Sequence, residues 1–322
     1  MSHYVMDFET LVDCTVLVAE DYKTPYQEVF VVGHTVNQID ELITFLRQNK
    51  EHKEWHISFN GLSFDSQITE FILRNAKLLA FMKGPEIANL IYKKAQDIIA
   101  RQNNKEFSEF SEKDLSIKQV DVFKLNHWDN PAKRSSLKWI QYSMDWYNLQ
   151  DMPIHHTTSI TTQEQVDIIV DYCKNDVRST KQIMNLSREQ INLRKTLTEE
   201  YKIQLLSASE PRISKELFLM FLSKETGISK YELRQSRTSR DMLRIIDLIL
   251  PYTTFKTEPF QELHNTFKNL LLDANNTKGG FKHSFTYKGV RTDFGLGGVH
   301  GCIKSGEYKA TDKMIIMSSD VK

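Results

Sequence analysis

The fold is organised around the stretch Tyr4-Val5-Met6-Asp7-Phe8-Glu9-Thr10 near the N terminus. Its first three residues predict a short buried strand. Because side chains alternate across a strand, Asp7 and Glu9 project from the same face. Two carboxylates at that spacing cost free energy unless a positive charge lies between them. A solvated strand end is the alternative that a bare Asp-x-Glu pair leaves open.

The composition predicts a soluble intracellular protein without indicating its partner. The 322 residues include 42 basic and 42 acidic side chains, so any phosphate contact must come from local patches. Hydrophobic residues make up 40% of the chain, which is enough for a substantial core, and the length accommodates two domains or one domain with a substantial appendage. Three widely spaced cysteines fit a reducing compartment, and none has zinc-site spacing. No targeting segment is visible, and no apolar run approaches the roughly 18 residues of a membrane span.

Alternating apolar stretches predict an α/β arrangement in the first half of the chain. Three strands with short connections are expected to form an antiparallel meander, and two later strands each lead into a helix. Ser136 is the expected N-cap of one of these helices. The predicted strands span residues 3–10, 14–20, 27–34, 56–59 and 117–123, and the predicted helices span 38–49, 65–74, 136–140 and 163–186. This order is typical of an RNase H-like fold, in which helices flank a mixed sheet.

The remaining segments are predicted to be an insertion, a helical connection and a β-rich end. Residues 85–112 are interpreted as a largely helical insertion with a mobile tip. The predicted domains are residues 1–187, 188–275 and 276–322. Four arginines would line one side of the middle segment if it is continuous helix, either as a solvated face or as a phosphate-contacting stripe. They are Arg234, Arg237, Arg240 and Arg244.

Four carboxylates and one tyrosine are the candidate catalytic residues. Asp7 and Glu9, Asp65 at a strand-to-helix turn, and Asp176 on a long helix would meet at one edge of the proposed sheet. Oxygen-only ligands suit Mg²⁺ or Mn²⁺ rather than Zn²⁺, and two such ions would neutralise the repulsion among these four predicted metal ligands. Tyr172 lies four residues before Asp176 and shares its helix face. Its hydroxyl is too weak an acid to serve as a base at neutral pH, which suits the orientation of an attacking water.

In these motifs the chain resembles the 3′–5′ proofreading exonuclease of family B DNA polymerases, of the kind that bacteriophages encode. The family's three carboxylate motifs are matched by residues 7–9, residues 60–65 and residues 172–176, and its Ser/Thr-Leu motif by residues 136–140. The resemblance implies an RNase H-like (DEDDy) exonuclease domain that binds two Mg²⁺ or Mn²⁺ ions and releases 5′-mononucleotides. It also implies that the terminal nucleotides are held by Thr10, Asn60, Phe64, Ser136 and Leu137.

The C-terminal part of the chain resembles the approach to a phage polymerase palm. The matching stretches are Leu243–Phe260, Gly295–Gly301 and Ile315–Lys322, in which Asp320 resembles the first catalytic aspartate of polymerisation. The resemblance implies an incomplete palm without fingers or thumb, and no polymerase activity from this chain alone. It further implies the N-terminal part of a polymerase or one half of a split gene, with the C-terminal remainder as a partner.

The expected function is a metal-dependent exonuclease that acts on single-stranded DNA or a primer–template 3′ end, without a membrane partner. If it is encoded by a phage, it would work in the cytoplasm of the infected bacterial cell. One alternative is a DNA-holding half of a split or truncated polymerase with weak nuclease activity, and another is an exonuclease that degrades RNA or oligonucleotides. Cys173 is expected to point away from the site. His155, His156 and His300 are expected to be solvated or hydrogen-bonded rather than metal-binding.

Overall fold

A computed structural model describes residues 3–130, 135–236, 240–273, 282–295, 298–302 and 306–315. The chain divides into two compact units, residues 1–228 and residues 229–322. The division into three domains that the sequence predicts stays a prediction. None of the described helices combines the length and the apolar character needed to cross a membrane.

A five-stranded mixed sheet forms the centre of the first unit. Its strands are β1 (Tyr4–Thr10), β2 (Thr15–Asp21), β3 (Gln27–Val32), β4 (Trp55–Ser58) and β5 (Lys118–Asp121). They lie side by side in the order β3-β2-β1-β4-β5. The first three strands pair antiparallel, which confirms the predicted meander, whereas β4 runs parallel to both β1 and β5. The unit is therefore α/β with a mixed sheet.

Helices cover both faces of this sheet. They are α1 (Ile39–Glu51), α2 (Asp65–Leu79), α3 (Gly84–Asn103), α4 (Val122–Leu125), α5 (Leu137–Ser143), α6 (Gln163–Leu186), α7 (Arg188–Tyr201) and α8 (Glu210–Thr226). Alternation along β1 sorts its side chains between the two layers. Met6 and Phe8 pack with the apolar residues of α1, α2 and α3, whereas Val5 packs with those of α6. Asp7 and Glu9 have the parity of Val5, so they face the α6 side.

The segment predicted to be an insertion contains a core helix. Ile87, Ile91 and Ala95 of α3 are each 0% exposed and pack in the same layer as α1 and α2. Their four-residue spacing places them on one face of the helix. The insertion interpretation of residues 85–112 is therefore corrected for α3, while residues 104–116 are mostly exposed.

The described part of the second unit combines short helices with two antiparallel sheets. Its elements are α9 (Lys230–Gln235), β6 (Met242–Arg244), a 3-10 turn (Ile245–Asp247), α10 (Glu258–Lys268), β7 (Leu271–Asp273), β8 (Lys282–Tyr287), β9 (Val290–Gly295) and β10 (Gly298–Cys302). β9 lies between β8 and β10, and β6 pairs with β7. The strand-like character expected after residue 276 is confirmed for β8, β9 and β10. Asp320 lies outside the described residues.

The four arginines of the middle segment do not share a continuous helix. α9 ends at Gln235, and Arg244 is the last residue of β6. Leu243 pairs with Leu272 across the β6–β7 ladder, so tertiary pairing overrides the helical interpretation there. Arg237 lies outside the described residues. The prediction of a helical arginine stripe is therefore wrong.

Candidate metal centre

Asp7 and Glu9 are fixed on β1 by the buried residues around them. Val5 is 0% exposed in the α6 layer, and Phe8 is 3% exposed in the opposite layer. These anchors set the register of the strand. Asp7, which lies between them, and Glu9, which follows Phe8, therefore stay on one side of the sheet, where both are partly exposed. The predicted alternation is confirmed.

Asp176 joins this pair from α6. One carboxylate oxygen from each of Asp7, Glu9 and Asp176 lies within 4.8 Å of the other two. Val177, the residue after Asp176, anchors the helix. It is 0% exposed and belongs to the same apolar cluster as Val5, on the α6 side of the sheet. Three oxygen donors in this arrangement could hold a metal ion, and oxygen ligands are those that Mg²⁺ and Mn²⁺ prefer.

Asp65 lies beside this group with one oxygen directed at the backbone of β1. It is the first residue of α2, where the helix dipole favours a carboxylate, and it is 1% exposed. Its Oδ1 accepts a hydrogen bond from the Phe8 backbone N–H at 3.0 Å. The carboxylate of Asp65 is not part of the group formed by Asp7, Glu9 and Asp176, whose oxygens lie within 4.8 Å of one another. Its negative charge nevertheless raises the pKa of both Asp7 and Glu9. It therefore belongs electrostatically to the same site.

The loop that leads into Asp65 needs a glycine at position 61. A Cβ on Gly61 would lie 1.7 Å from Ser58 Oγ and 3.3 Å from Asp65 Oδ2. The preceding Asn60 has φ 61°, in the left-handed region that asparagine tolerates better than most residues. The sequence Asn60-Gly61 thus allows the chain to turn sharply at the end of β4 and to bring Asp65 next to β1.

Burial raises the pKa values of all four carboxylates, and neighbouring negative charges raise those of Asp7, Glu9 and Asp65 further. The pKa of Glu9 rises from 4.5 to about 8 through burial and then through the charges of Asp176 and Asp65. Burial raises the pKa of Asp65 from 3.8 to about 7, although backbone N–H groups oppose the shift. The pKa values of Asp7 and Asp176 are also raised, chiefly by burial. At neutral pH Glu9 is therefore largely protonated and Asp65 about half protonated, and a divalent cation would displace these protons.

Tyr172 is held against Asp176 by a hydrogen bond. Its hydroxyl donates to the Asp176 carboxylate one helical turn further along α6. Burial and then the charges of Asp176, Glu9 and Asp7 raise the pKa of Tyr172 above its ordinary 10.0. The hydroxyl therefore stays protonated and can orient a water molecule but cannot deprotonate it.

A cavity of about 510 Å³ opens beside the carboxylates. Its described lining includes all four carboxylates and four of the five residues predicted to hold nucleotides. Those four are Asn60, Phe64, Ser136 and Leu137. Thr10 is not in that lining, since it is the last residue of β1 and pairs with Thr15 at the turn into β2.

Two phenylalanines of this cavity were not predicted from the sequence. Phe59 follows β4 and Phe123 lies in α4, and both line the cavity. Their ring centroids are 4.9 Å apart. The signal in the sequence was their position within two residues of the ends of the parallel strands β4 and β5, because the carboxyl ends of such strands share an edge of the sheet.

Asp121, the last residue of β5, is a further residue that the sequence interpretation missed. It is 0% exposed, and its Oδ1 accepts hydrogen bonds from the backbone N–H groups of Asn60, Phe123 and Lys124 at 3.1, 3.0 and 3.2 Å. Its Oδ2 accepts from the Leu62 backbone N–H at 3.1 Å. One carboxylate thus fastens the loop that carries Asn60 and Asp65 to the end of β5.

Replacing Asp121 with asparagine should destabilise the first unit by about 2 kcal/mol, because an amide NH₂ would face the Leu62 N–H as a second donor. The free energy of unfolding from urea titration measures this loss. Asp114→Asn is the matched control, since Asp114 also accepts a backbone N–H, from Ser111, but is exposed. Equal stability of the two variants would contradict the assigned role of Asp121.

Cys173 lies closer to the site than predicted. Its Sγ donates to the Asp7 backbone carbonyl at 3.4 Å and lies 3.9 Å from Asp7 Oδ2. Cys173 is next to Tyr172 in the sequence, which led to the expectation that its side chain is on the opposite face of α6. Neighbouring residues on a helix are, however, rotated by only about 100° around its axis. Cys173 and Asp176 are three residues apart and face the sheet together. The expectation that Cys173 points away from the site is therefore wrong.

The described histidines that the sequence singled out are occupied by other contacts. His155 and His156 are exposed and stack with their ring centroids 4.4 Å apart. His155 Nδ1 lies 2.8 Å from Thr157 Oγ1, and His156 Nδ1 lies 3.0 Å from the Tyr92 hydroxyl. Within the described ranges, the three carboxylates of Asp7, Glu9 and Asp176 are the one group with metal-ligand geometry. The His300 side chain is outside what the structure describes.

Comparison with known proteins adds no family assignment. No family model matches the sequence, and a search of curated proteins finds no match. A partly buried group of carboxylates beside an open cavity can bind divalent cations and present them to a ligand that enters the cavity.

Proposed function

We propose that this protein is a two-metal 3′–5′ exonuclease that removes 5′-mononucleotides from single-stranded DNA. The observation that carries the proposal is the convergence of carboxylates from β1, α2 and α6 on one cavity, with the Tyr172 hydroxyl on one of them. The donor set fits Mg²⁺ or Mn²⁺, because it is made of oxygens and is short of positive charge. Two such ions, when bound, would stabilise the attacking and leaving oxygens of a phosphodiester.

The sheet supports an RNase H-like (DEDDy) assignment. A three-stranded antiparallel meander followed by two parallel strands, in the order β3-β2-β1-β4-β5, is the arrangement expected of that fold. Asp7 and Glu9 lie in the second half of β1, Asp65 begins α2, and Asp176 lies on α6, which packs across β1. These are the elements on which the resemblance to the DEDDy exonucleases implies the carboxylates. Asp7, Glu9, Asp65 and Asp176 would be the ligands of the two ions.

The walls of the cavity suit the end of a single strand. Phe64, Leu137, Phe59 and Phe123 line it and offer apolar surface to bases without selecting a sequence. Asn60 and Ser136 add polar groups to the lining of the cavity. A paired duplex end would have to fray before its terminal nucleotide could enter, so unpaired ends are the preferred substrates.

Proofreading for a phage-type DNA polymerase is the setting that we propose for this activity. The motifs of the first unit and the resemblance of residues 243–260 to the approach to a palm support it. A primer–template with a mismatched 3′ nucleotide should lose that nucleotide at least about 10-fold faster than a matched one, because the mismatched end frays more readily. Equal rates would contradict a proofreading role.

The decisive test of the proposed function is the polarity and product of strand degradation. Single-stranded DNA labelled at its 5′ end should shorten one nucleotide at a time in the presence of Mg²⁺ or Mn²⁺ and stay intact in EDTA. Chromatography should identify 5′-mononucleotides as the product, and a parallel RNA strand compares the two substrates. Endonucleolytic fragments, or release of nucleotides from the 5′ end, would contradict the proposal.

Tyr172→Phe should lower kcat for nucleotide release by about 10–100-fold, because the variant keeps the ring but loses the hydroxyl that orients water. KM for the strand should change less than threefold. Steady-state kinetics over pH 6–9 should show the same profile shape in both proteins, since Tyr172 stays protonated throughout. Loss of a basic limb in the variant would indicate that Tyr172 acts as a base instead.

A further inference from the structure

Gln141 connects the nucleotide-binding end of α5 to a predicted metal ligand. It is 1% exposed, and its Nε2 donates to Asp176 Oδ1 and to Ser179 Oγ, both at 2.8 Å. Ser179 Oγ in turn donates to the Asp176 backbone carbonyl at 3.0 Å. A buried amide that donates to a metal-binding carboxylate fixes the orientation of that carboxylate.

The other end of α5 lies at the cavity. Ser136 and Leu137 line the cavity, and Ser136 Oγ caps α5 by accepting from the Trp139 backbone N–H at 3.2 Å. Leu137 and Gln141 are four residues apart, so they project from the same face of the helix, about one turn from each other. A displacement of α5 at Leu137 is therefore transmitted to Gln141.

The chain after α5 is fastened to the same stretch of α6. Trp146 donates from Nε1 to Asn175 Oδ1 at 2.9 Å and from its backbone N–H to the Gln141 carbonyl at 2.9 Å. Asn175 precedes Asp176, so the region of α5 meets α6 on both sides of the carboxylate. These hydrogen bonds join the chain after α5 to the Asp176 turn of α6.

We propose that Gln141 is a positioning residue that couples strand binding at Ser136 and Leu137 to cation binding at Asp176. A strand end seated in the cavity holds α5 in place, and Gln141 then holds the Asp176 carboxylate in the orientation that faces Asp7 and Glu9. By linkage, the cation also tightens strand binding by the same factor. This inference rests on the proposed function and specifies how its site is regulated.

The test measures Mn²⁺ binding to the full chain by electron paramagnetic resonance, with and without a single-stranded oligonucleotide whose 3′-terminal linkages are phosphorothioates. The oligonucleotide should lower the Mn²⁺ dissociation constant of the unchanged chain several-fold. In Gln141→Met, Mn²⁺ affinity alone should fall about 10–100-fold, as is typical when a partner of a metal ligand is lost. The factor by which the oligonucleotide lowers the Mn²⁺ dissociation constant should be at least threefold smaller in this variant. The remaining effect would come from direct contact between the phosphate and the cation.

Two further variants separate coupling from stability. Gln119→Met removes another buried glutamine, 2% exposed, whose amide donates to the Ile117 carbonyl at 3.5 Å, and it should leave the effect of the oligonucleotide unchanged. Gln141→Leu also removes the donor without adding a charge beside Asp176, so it should repeat the defect if Gln141→Met unfolds early in a thermal melt.

The outcomes distinguish this inference from the proposed function. If the unchanged chain binds Mn²⁺ and degrades DNA from its 3′ end but the folded Gln141 variants retain the full effect of the oligonucleotide, the coupling is overturned and the nuclease stands. If the unchanged chain binds no Mn²⁺ at these carboxylates, both are overturned. A reduced effect in the Gln141 variants with the Gln119 variant unaffected supports the coupling.

Discussion

Replacing both Asp7 and Glu9 with alanine should lower Mg²⁺-dependent release of 5′-mononucleotides by at least about 1,000-fold, because it removes two of the three oxygens that lie within 4.8 Å of one another. The fold should survive, since the buried anchors of β1 are Val5, Met6 and Phe8 rather than the carboxylates. In the absence of metal, the variant should be at least as stable as the unchanged chain, because the substitution also removes two carboxylates whose ionisation is disfavoured by burial and by neighbouring negative charges.

The control for this double variant is Asp171→Ala on α6. The Asp171 side chain is 80% exposed and lies 3.7 Å from Lys174 Nζ. The Asp171→Ala substitution removes a carboxylate five residues before Asp176, at a position that does not line the cavity. Nucleotide release should therefore stay within twofold of that of the unchanged chain. Undiminished cleavage by the Asp7 and Glu9 variant would place the chemistry elsewhere in the chain and contradict the account.

The metal-free chain should lose stability as pH rises from 6.5 to 8.5. The pKa of Glu9 is about 8 and that of Asp65 about 7 in the folded chain, against 4.5 and 3.8 ordinarily, so the folded chain binds more protons than the unfolded chain in this window. Stability then falls with rising pH until the folded pKa values are passed. The expected loss is on the order of 3 kcal/mol, or about 6–12 °C in Tm.

Mg²⁺ should abolish most of this loss, because it binds the ionised carboxylates and takes the place of their protons. Thermal melts of the first unit's transition at pH 6.5 and 8.5, in EDTA and in Mg²⁺, measure the effect. The window begins at pH 6.5 because burial lowers the pKa of His56 to about 3, which destabilises the folded chain at more acidic pH. Glu9→Gln should flatten the EDTA curve, and a Tm that rises with pH in EDTA would contradict the predicted repulsion.

The sequence was most informative where a local pattern determines direction. Alternation along residues 4–10 predicted that Asp7 and Glu9 share a face, and four-residue spacing predicted that Tyr172 and Asp176 share another. The structure brings both pairs together. Their association requires only that α6 packs across β1, which its apolar stripe favours.

The sequence was least informative where a residue acts through a contact distant in the chain. Nothing around Asp121 indicates that the loop of Asn60 and Leu62 will fold back onto it, because those contacts join residues about sixty positions apart. Gln141 likewise looks like an ordinary helix residue until α5 is placed against Asp176. Such partners depend on tertiary packing, which neither periodicity nor propensity encodes.

The most direct test of the central claim is a crystal of the full chain soaked in Mn²⁺, with anomalous scattering used to locate the ions. Two Mn²⁺ peaks are expected about 3.5–4 Å apart, bound by Asp7, Glu9, Asp65 and Asp176. An occupied Mn²⁺ site elsewhere, with these four carboxylates free of metal at saturating concentration, would contradict the claim.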